Sequence, residues 1–364
     1  MRPSFKIEPW VRVSSSFSEA LRNLITGTAR GWWIALAFVF VVGGTTVFDS
    51  LITTSLIEDA DRFRASGASI VVVESAGQIV GSACEGMQAA DGVLSAGAIR
   101  RSPSEGRIAS LPATIIPVFD VSPNFGSVLD VTLTGHGSGV ILPRPLTDTL
   151  GLQTGGYLTL RDRNVAVVGT YEYPSDGRKT ALQHAILNPT IAGELYDECW
   201  LDVWPSNAEM GTFWPLLVNA SGDTMGQMQV SQLNATLGVE FDGSALFDKR
   251  PTNGASFLSL AGGIAIGLLW VRSRRLEFTA AIHAGVTKPA LAVQMVMETI
   301  LVFALATCIM LPVQALMSPG RDLSSLDINA ARNWILGGSA LGLGVILSVL
   351  TVRESTHFRN FQDR

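Results

Sequence analysis

Charge is what this sequence has least of: 16% of its 364 residues are Asp, Glu, Lys or Arg, where soluble domains carry about 25%. With 47% apolar residues and a mean hydropathy of +0.33, too few charged groups remain to keep a chain of this size in water. Cysteine is rare, 3 in all, which excludes a disulfide-stapled mini-fold. Gly and Pro are not in excess and aromatics stand at 8%, so disorder and a collagen-like repeat are excluded as well. The four histidines, His136, His184, His283 and His357, are scattered. They form no HExxH, and without a paired CxxC no metal site is expected. GxSxG is absent too; residues 135–139 read GHGSG, which puts Ser138 off the nucleophile position. No GxxxxGK[ST] phosphate loop exists, since the nearest string, Gly285-Val286-Thr287-Lys288, lacks the first glycine and the preceding strand. The chain is therefore expected to have no catalytic residues and no cofactor of its own. A membrane protein is what remains.

Four apolar runs support that reading. Residues 32–48, WWIALAFVFVVGGTTVF, carry no charge; residues 256–271 and 334–352 follow suit, and residues 290–316 are interrupted only by Glu298. About 20 such residues cross the ~30 Å hydrocarbon core as a helix. The first run starts after some thirty residues and has no small-residue cleavage site, so a retained span is expected rather than a signal peptide. The expected fold is four transmembrane α-helices with a large extracytoplasmic mixed α/β domain inserted between the first and second. Its layout is an N-terminal segment 1–31, spans 32–48, 254–271, 290–316 and 334–352, the inserted domain 49–253, a cytoplasmic helix 272–289, a short outer loop 317–333 and a tail 353–364.

Charge segregates with these boundaries. Residues 49–253 hold 23 Asp and Glu against 12 Lys and Arg, a balance of −11, and the rest holds 14 Lys and Arg against 8 Asp and Glu, a balance of +6, which together give the net −5. A nucleic-acid binder would show the opposite sign on its folded domain. Lys and Arg crowd the N-terminal segment, residues 272–289 and the tail, whereas the 317–333 loop holds only Arg321 and Arg332, offset by Asp322 and Asp327. The positive-inside bias then puts both termini and residues 272–289 in the cytoplasm and the acidic domain outside the inner membrane.

Glu298 costs about 2.5 to 3.5 kcal/mol near a helix centre, and the ten Leu, Ile, Val and Phe between Leu291 and Leu311 return about 3 to 6 kcal/mol, so insertion wins. Its carboxylate either contacts a neighbouring helix or moving part, or is a locally paired passenger. Gly263 with Gly267 and Gly338 with Gly342 form GxxxG pairs that suit a dimer interface, although 36 glycines make such matches cheap.

In the inserted domain, residues 50–64 read as a helical stalk and residues 79–90 and 225–237 as helices. Strands are expected at 69–74, 93–99, 113–119, 140–142, 157–161 and 165–171. Cys84 and Cys199 both fall in this oxidising compartment, and Cys308 lies in the third span. A Cys84–Cys199 bridge would be worth at most ~4 to 5 kcal/mol in the chain-entropy model; the alternative is two buried free thiols. Acceptor sequons at Asn219 and Asn234 occur at chance frequency.

The string Arg274-Arg275-Leu276-Glu277-Phe278, followed after six residues by Gly285-Val286-Thr287-Lys288, resembles the RRxEI…ALGAS[RK] signature of MacB/FtsX-type permeases, the membrane subunits of type VII ABC transporters. Residues 18–30, SEALRNLITGTAR, are similar to the amphipathic elbow helix before their first span. Residues 140–142, 150–152, 155–158 and 165–169 follow their strand, glycine turn and V-V-G strand. The resemblance covers nearly the whole chain, with departures at Gly156, Ala281 and His283. It implies a coupling helix at 272–289 seated on a separate ABC ATPase, with Arg274, Arg275, Glu277, Gly285 and Lys288 as the coupling residues. ATP and Mg would be bound by that partner. A second permease copy or paralogue, the lipid bilayer and an extracytoplasmic protein complete the implied partners. The function implied is conversion of ATP hydrolysis into movement of the outer domains, termed mechanotransmission, to export or extract a peptide, drug or lipid-type substrate. The alternative is an FtsX-like regulator of an extracellular cell-wall hydrolase or signalling partner.

Overall fold

The computed structural model describes residues 22, 26, 30–110, 113–133, 138–152, 155–161, 163–190, 194–206, 208–219, 228–317 and 328–351. Most of the expected elbow helix and of the 317–333 loop, and all of the 353–364 tail, lie outside these residues. The chain divides into two compact units, residues 1–56 with 246–364, and residues 57–245.

The first unit is a helical bundle. Among the described residues four helices are long and apolar enough to cross a membrane: Gly31–Ala65, Ala255–Ser273, Lys288–Met317 and Ile328–Thr351. The helix of the first span continues without a break through the expected stalk to Ala65. It contains a π-helical turn at Val39–Gly43, which inserts a residue and disturbs the local carbonyl ladder. Thr45 and Thr46 repair it by donating their hydroxyls to the Val42 carbonyl at 2.9 and 2.7 Å, because lipid offers such groups no partner. Pro289 sits in the first turn of the third helix, where it opens the helix and its missing N–H costs nothing.

Glycine sets how closely the second and fourth spans approach. A Cβ at Gly263 would lie 2.3 Å from the Gly337 carbonyl oxygen, one at Gly267 2.4 Å from that of Leu341, and one at Gly344 2.5 Å from that of Ile264. The GxxxG of the second span is thus used for close packing on the fourth span within the chain. Gly338 is taken up as well, against the Phe303 ring of the third span, while Gly342 meets nothing within 4 Å. Phe38, Phe303 and Trp334 pack edge-on or tilted at 5.1 to 5.9 Å between ring centres and fill the bundle centre.

The second unit is built on β1 (Ile70–Val80), β2 (Val93–Arg101), β3 (Gly106–Arg107), β4 (Ile115–Ile116), β5 (Val118–Val121), β6 (Thr132–Leu133), β7 (Val140–Pro143), β8 (Tyr157–Thr159), β9 (Asn164–Tyr171), β10 (Ile186–Pro189), β11 (Leu195–Val203) and β12 (Gln229–Gln232). Ten of these form a mixed sheet in the order β12-β1-β11-β2-β5-β10-β7-β9-β6, with β8 on β9, and β3 pairs with β4 separately. Most neighbours are antiparallel; β5 with β10 and β7 with β9 are parallel. Val72 and Trp200 bury one face with Ile70, and Val73, Cys199 and Leu201 bury the other. A strand covered on both sides reads as the continuous run IVVV rather than as alternation.

Three expectations shift. The helix foreseen at 79–90 begins only at Gly81, because Ile79 and Val80 still pair with Tyr196 and Leu195 of β11. Residues 229–232, foreseen as helix, are the edge strand β12 on β1. The strands β10 and β11 were not foreseen, although β11 lies between β1 and β2 in the sheet. Cys84 of the helix Gly81–Gly86 is bonded to Cys199 of β11, with 5.8 Å between Cα atoms, and both are buried. Asn234 is buried too, with its amide donating to the Ser66 and Asp176 carbonyls, so no glycan can be attached there.

On β11, burial pushes the Glu198 carboxyl above its usual range, and the indole N–H of Trp200, donated at 2.7 Å, offsets only part of this. A carboxyl raised on folding stabilises the folded state below its unfolded pKa of about 4.3, and that contribution is lost as pH rises through the folded value. Glu198→Gln keeps an acceptor for Trp200. Its melting temperature is expected to exceed that of the parent at pH 8, with the gain shrinking towards pH 4; an equal difference at the two pH values would contradict the assignment.

Candidate functional site

The residues singled out from the sequence gather at one end of the bundle. The helix Arg275–His283 follows the second span and precedes the third. Its inner face is held by Phe278, which is buried in the bundle core beside Leu291 and Met295, with Ala281 and Ile282 packed against that core. Glu277, Ala280 and His283 are exposed. The spacing of these three puts one charged group, one methyl and one imidazole on a single outward face.

The helix ends in a way its sequence dictates. Gly285 has φ +91, its N–H bonds the Ile282 carbonyl at 2.9 Å, and the Val286 N–H bonds the Ala281 carbonyl at 3.0 Å. This double closure needs a residue in the left-handed region, which favours glycine. Lys288 opens the next helix and donates Nζ to the Leu350 carbonyl at 3.5 Å, a cation at the last turn of the fourth span.

Arg274 is placed differently from the other coupling candidates. It stands immediately before the helix Arg275–His283 in a buried position, 6% exposed. Its Nη1 donates to Glu298 Oε2 at 2.5 Å, and its Nε donates to Glu277 Oε2 at 2.8 Å. The guanidinium also lies 5.2 Å from the centre of the Phe278 ring. Glu298 is 1% exposed within the third span. Arg274 therefore faces the bundle and ties the short helix to the third span, so it offers no charge to a surface partner. Arg275 and Lys288 are half-buried, and Glu277 and Gly285 are exposed. Glu298 is a paired carboxylate whose partner, Arg274, comes from the segment between the second and third spans.

A second buried ionic cluster lies at the other end of the second span, about 28 Å away for 19 helical residues. Asp49 of the first helix accepts from Arg250 Nε at 3.1 Å through Oδ1 and from Asn333 Nδ2 of the fourth span at 3.1 Å through Oδ2. Ser256 of the second span donates to Asn333 Oδ1 at 2.6 Å. Asp49, Arg250 and Asn333 are 1%, 6% and 0% exposed. Sequence reasoning missed this set. Its signals were an Asp inside a helical run just past an apolar segment and an Arg just ahead of the next one.

Among the described residues, no group of three or more His, Cys, Asp or Glu converges as metal ligands would. Two buried ion clusters join helices far apart in sequence.

No protein-family model and no curated protein matches the chain. Among solved structures it is similar to the periplasmic region of MacB from Actinobacillus actinomycetemcomitans, at 10% identity over 48% of this chain and 94% of that one, with a TM-score of 0.35. It is also similar to the extracellular domain of the noncanonic ABC-type transporter YknZ from Gram-positive bacteria, at 12% identity over 45% of this chain and 100% of that one, with a TM-score of 0.32.

Proposed function

We propose that this chain is a MacB/FtsX-type ABC transporter permease subunit of the cytoplasmic membrane, which couples ATP hydrolysis by a separate ATPase to movement of its extracytoplasmic domain. The observation that carries the reading is the helix Arg275–His283, short, placed between two spans and exposing Glu277 while Arg274 at its start is locked to Glu298 of the third span. A push on this helix cannot be absorbed locally. Phe278 is packed in the bundle core and Arg274 cannot leave Glu298 without burying an unpaired charge, so the third span moves with the helix. At the other end Asp49 and Arg250 stand close in sequence to the points where the chain enters and leaves the second unit, and Asn333 of the fourth span donates to Asp49. Two arrangements of such a bundle, biased by nucleotide on the partner, would move the outer domain. Both termini lie in the cytoplasm on this reading, and ATP with Mg is held by the ATPase.

Affinity purification of the full chain in detergent is expected to recover an ABC ATPase. Its recovery without one overturns the reading. In the reconstituted complex Glu277→Lys is expected to reduce stimulation of ATP hydrolysis by about tenfold or more, since reversing a charge at a docking face costs several kcal/mol. Stimulation equal to the parent would remove Glu277 from the coupling face.

A further inference from the structure

Where the third span ends and the fourth begins, the two helices enclose a groove of about 240 Å³, lined by Met310, Leu311 and Gln314 of the one and Ala331, Trp334 and Ile335 of the other. Its walls are open: Leu311 is 52% and Ile335 61% exposed, and Ala331 is exposed as well. Its floor is backed by the first helix. Met310 is buried, and a Cβ on Gly43 would lie 3.1 Å from its sulfur and 3.6 Å from the Trp334 ring. The Trp334 indole N–H donates to the Thr307 hydroxyl at 3.1 Å, and that hydroxyl donates to the Phe303 carbonyl at 2.8 Å. These polar groups are already served, so water gains nothing there. Gln314 is the exception. It is half-buried in the last turn of its helix, one turn past Leu311, and its side-chain amide has no partner among the described residues.

An occupant that suits this lining is apolar along its length, carries a hydrogen-bond acceptor at one end, and is slim. An apolar cavity of about 150 Å³ takes up benzene, so a groove of about 240 Å³ holds a hydrocarbon segment larger than benzene. A helix of a second protein, about 10 to 12 Å across, does not enter it. Both spans are long and apolar enough to cross a membrane, and the solvent along them is lipid. Gln314 lies where the apolar run gives out, at the level where hydrocarbon gives way to the interfacial region. We propose that this groove holds one acyl chain of a membrane phospholipid, with the Gln314 amide donating to its ester carbonyl. A chain seated there backs Met310 and Trp334, the side chains that pack on Gly43, and so steadies the π-helical turn Val39–Gly43. The proposal goes beyond the coupling function, and its test involves no ATPase, so the two can fail separately.

The test titrates the full chain in detergent with 1-palmitoyl-2-oleoyl-phosphatidylcholine and counts bound lipids by native mass spectrometry. One lipid per chain is expected to saturate before any other. Ala331→Phe puts a ring into the open groove and should abolish that first adduct. Gln314→Leu should weaken it by about twofold to tenfold, the usual worth of a neutral hydrogen bond. Leu347→Phe, on the exposed surface three turns further along the fourth span, should leave it unchanged. Added lipid should raise the melting temperature of the parent and not that of Ala331→Phe, and in the parent it should slow amide hydrogen exchange at residues 39–46. If Ala331→Phe melts below the parent without lipid, Gln314→Leu, which only adds apolar surface, decides. No lipid held ahead of the others, a first adduct that survives Ala331→Phe, or a Gln314→Leu affinity equal to the parent's each overturns the proposal. A dimer mass that Ala331→Phe abolishes would assign the groove to a second copy and overturn it as well, and unchanged exchange at 39–46 would sever the link to the π-helical turn.

Discussion

Replacing Glu298 by Ala is expected to destabilise the bundle by about 3 to 5 kcal/mol, the cost of leaving the buried Arg274 guanidinium without its carboxylate. Arg274→Ala should cost a similar amount for the mirror reason. Arg274→Lys should recover only part of it, because one ammonium cannot serve Glu298 and Glu277 with the planar fork that spans them now. The informative variant is the double substitution Arg274→Met with Glu298→Met. Removing both charges and keeping the volume is often neutral or stabilising, so stability should return to within about 1 kcal/mol of the parent. Thermal unfolding in nanodiscs, followed by tryptophan fluorescence, reads all four variants. Single variants as stable as the parent would show that the pair is not buried as described. The double variant also separates structure from function: on the proposed coupling it regains stability without regaining ATPase stimulation, because a thioether contact slides where an ion pair holds.

This pair shows where the sequence ceases to be readable. Each of the four apolar runs marks a helix long and apolar enough to cross a membrane, because an apolar run must match the membrane by itself, and that condition is local. The residues of Arg274–Glu298 are separated by 24 positions, and by composition Arg274 is one more cation beside a span. Nothing local distinguishes it from Arg275, yet one is buried in the bundle and the other half-buried. The second unit teaches the same lesson. The strands β1 and β9 are legible as Val-rich runs, whereas β11 mixes Asp197, Glu198 and Asp202 with its apolar residues. Asp197 and Asp202 are tolerated because groups far away in sequence serve them, the Gly77 amide at 2.8 Å and the Ser69 hydroxyl, while Glu198 is served by the Trp200 indole of its own strand. Composition alone reads such a segment as a loop. The helix expected at 225–237, of which 225–227 lie outside the described residues, is the converse case, a segment with some helical pattern whose residues 229–232 are taken by the open edge of β1.

Arg250→Ala should destabilise the opposite end of the bundle by about 3 to 5 kcal/mol, since Asp49 would keep only the Asn333 amide in a buried site. Asn333→Leu should cost about 1 to 3 kcal/mol, because it leaves Asp49 Oδ2 and the Ser256 hydroxyl unpaired while the Asp49–Arg250 pair survives. The two losses should not add. Arg250 and Asn333 share Asp49, so a double-mutant cycle between them is expected to show a coupling energy of about 0.5 to 3 kcal/mol, where unconnected sites would give less than about 0.5 kcal/mol. Asp49→Asn together with Arg250→Gln keeps hydrogen bonds and removes the charges, and should unfold closer to the parent than Arg250→Ala does. Additive losses would mean that Asp49 does not join the two partners. The first helix would then be held to the fourth span by apolar packing, such as that of Phe38 on Trp334 and Val42 on Gly337, and motion at one end of the bundle would not be carried to the other through fixed ion clusters.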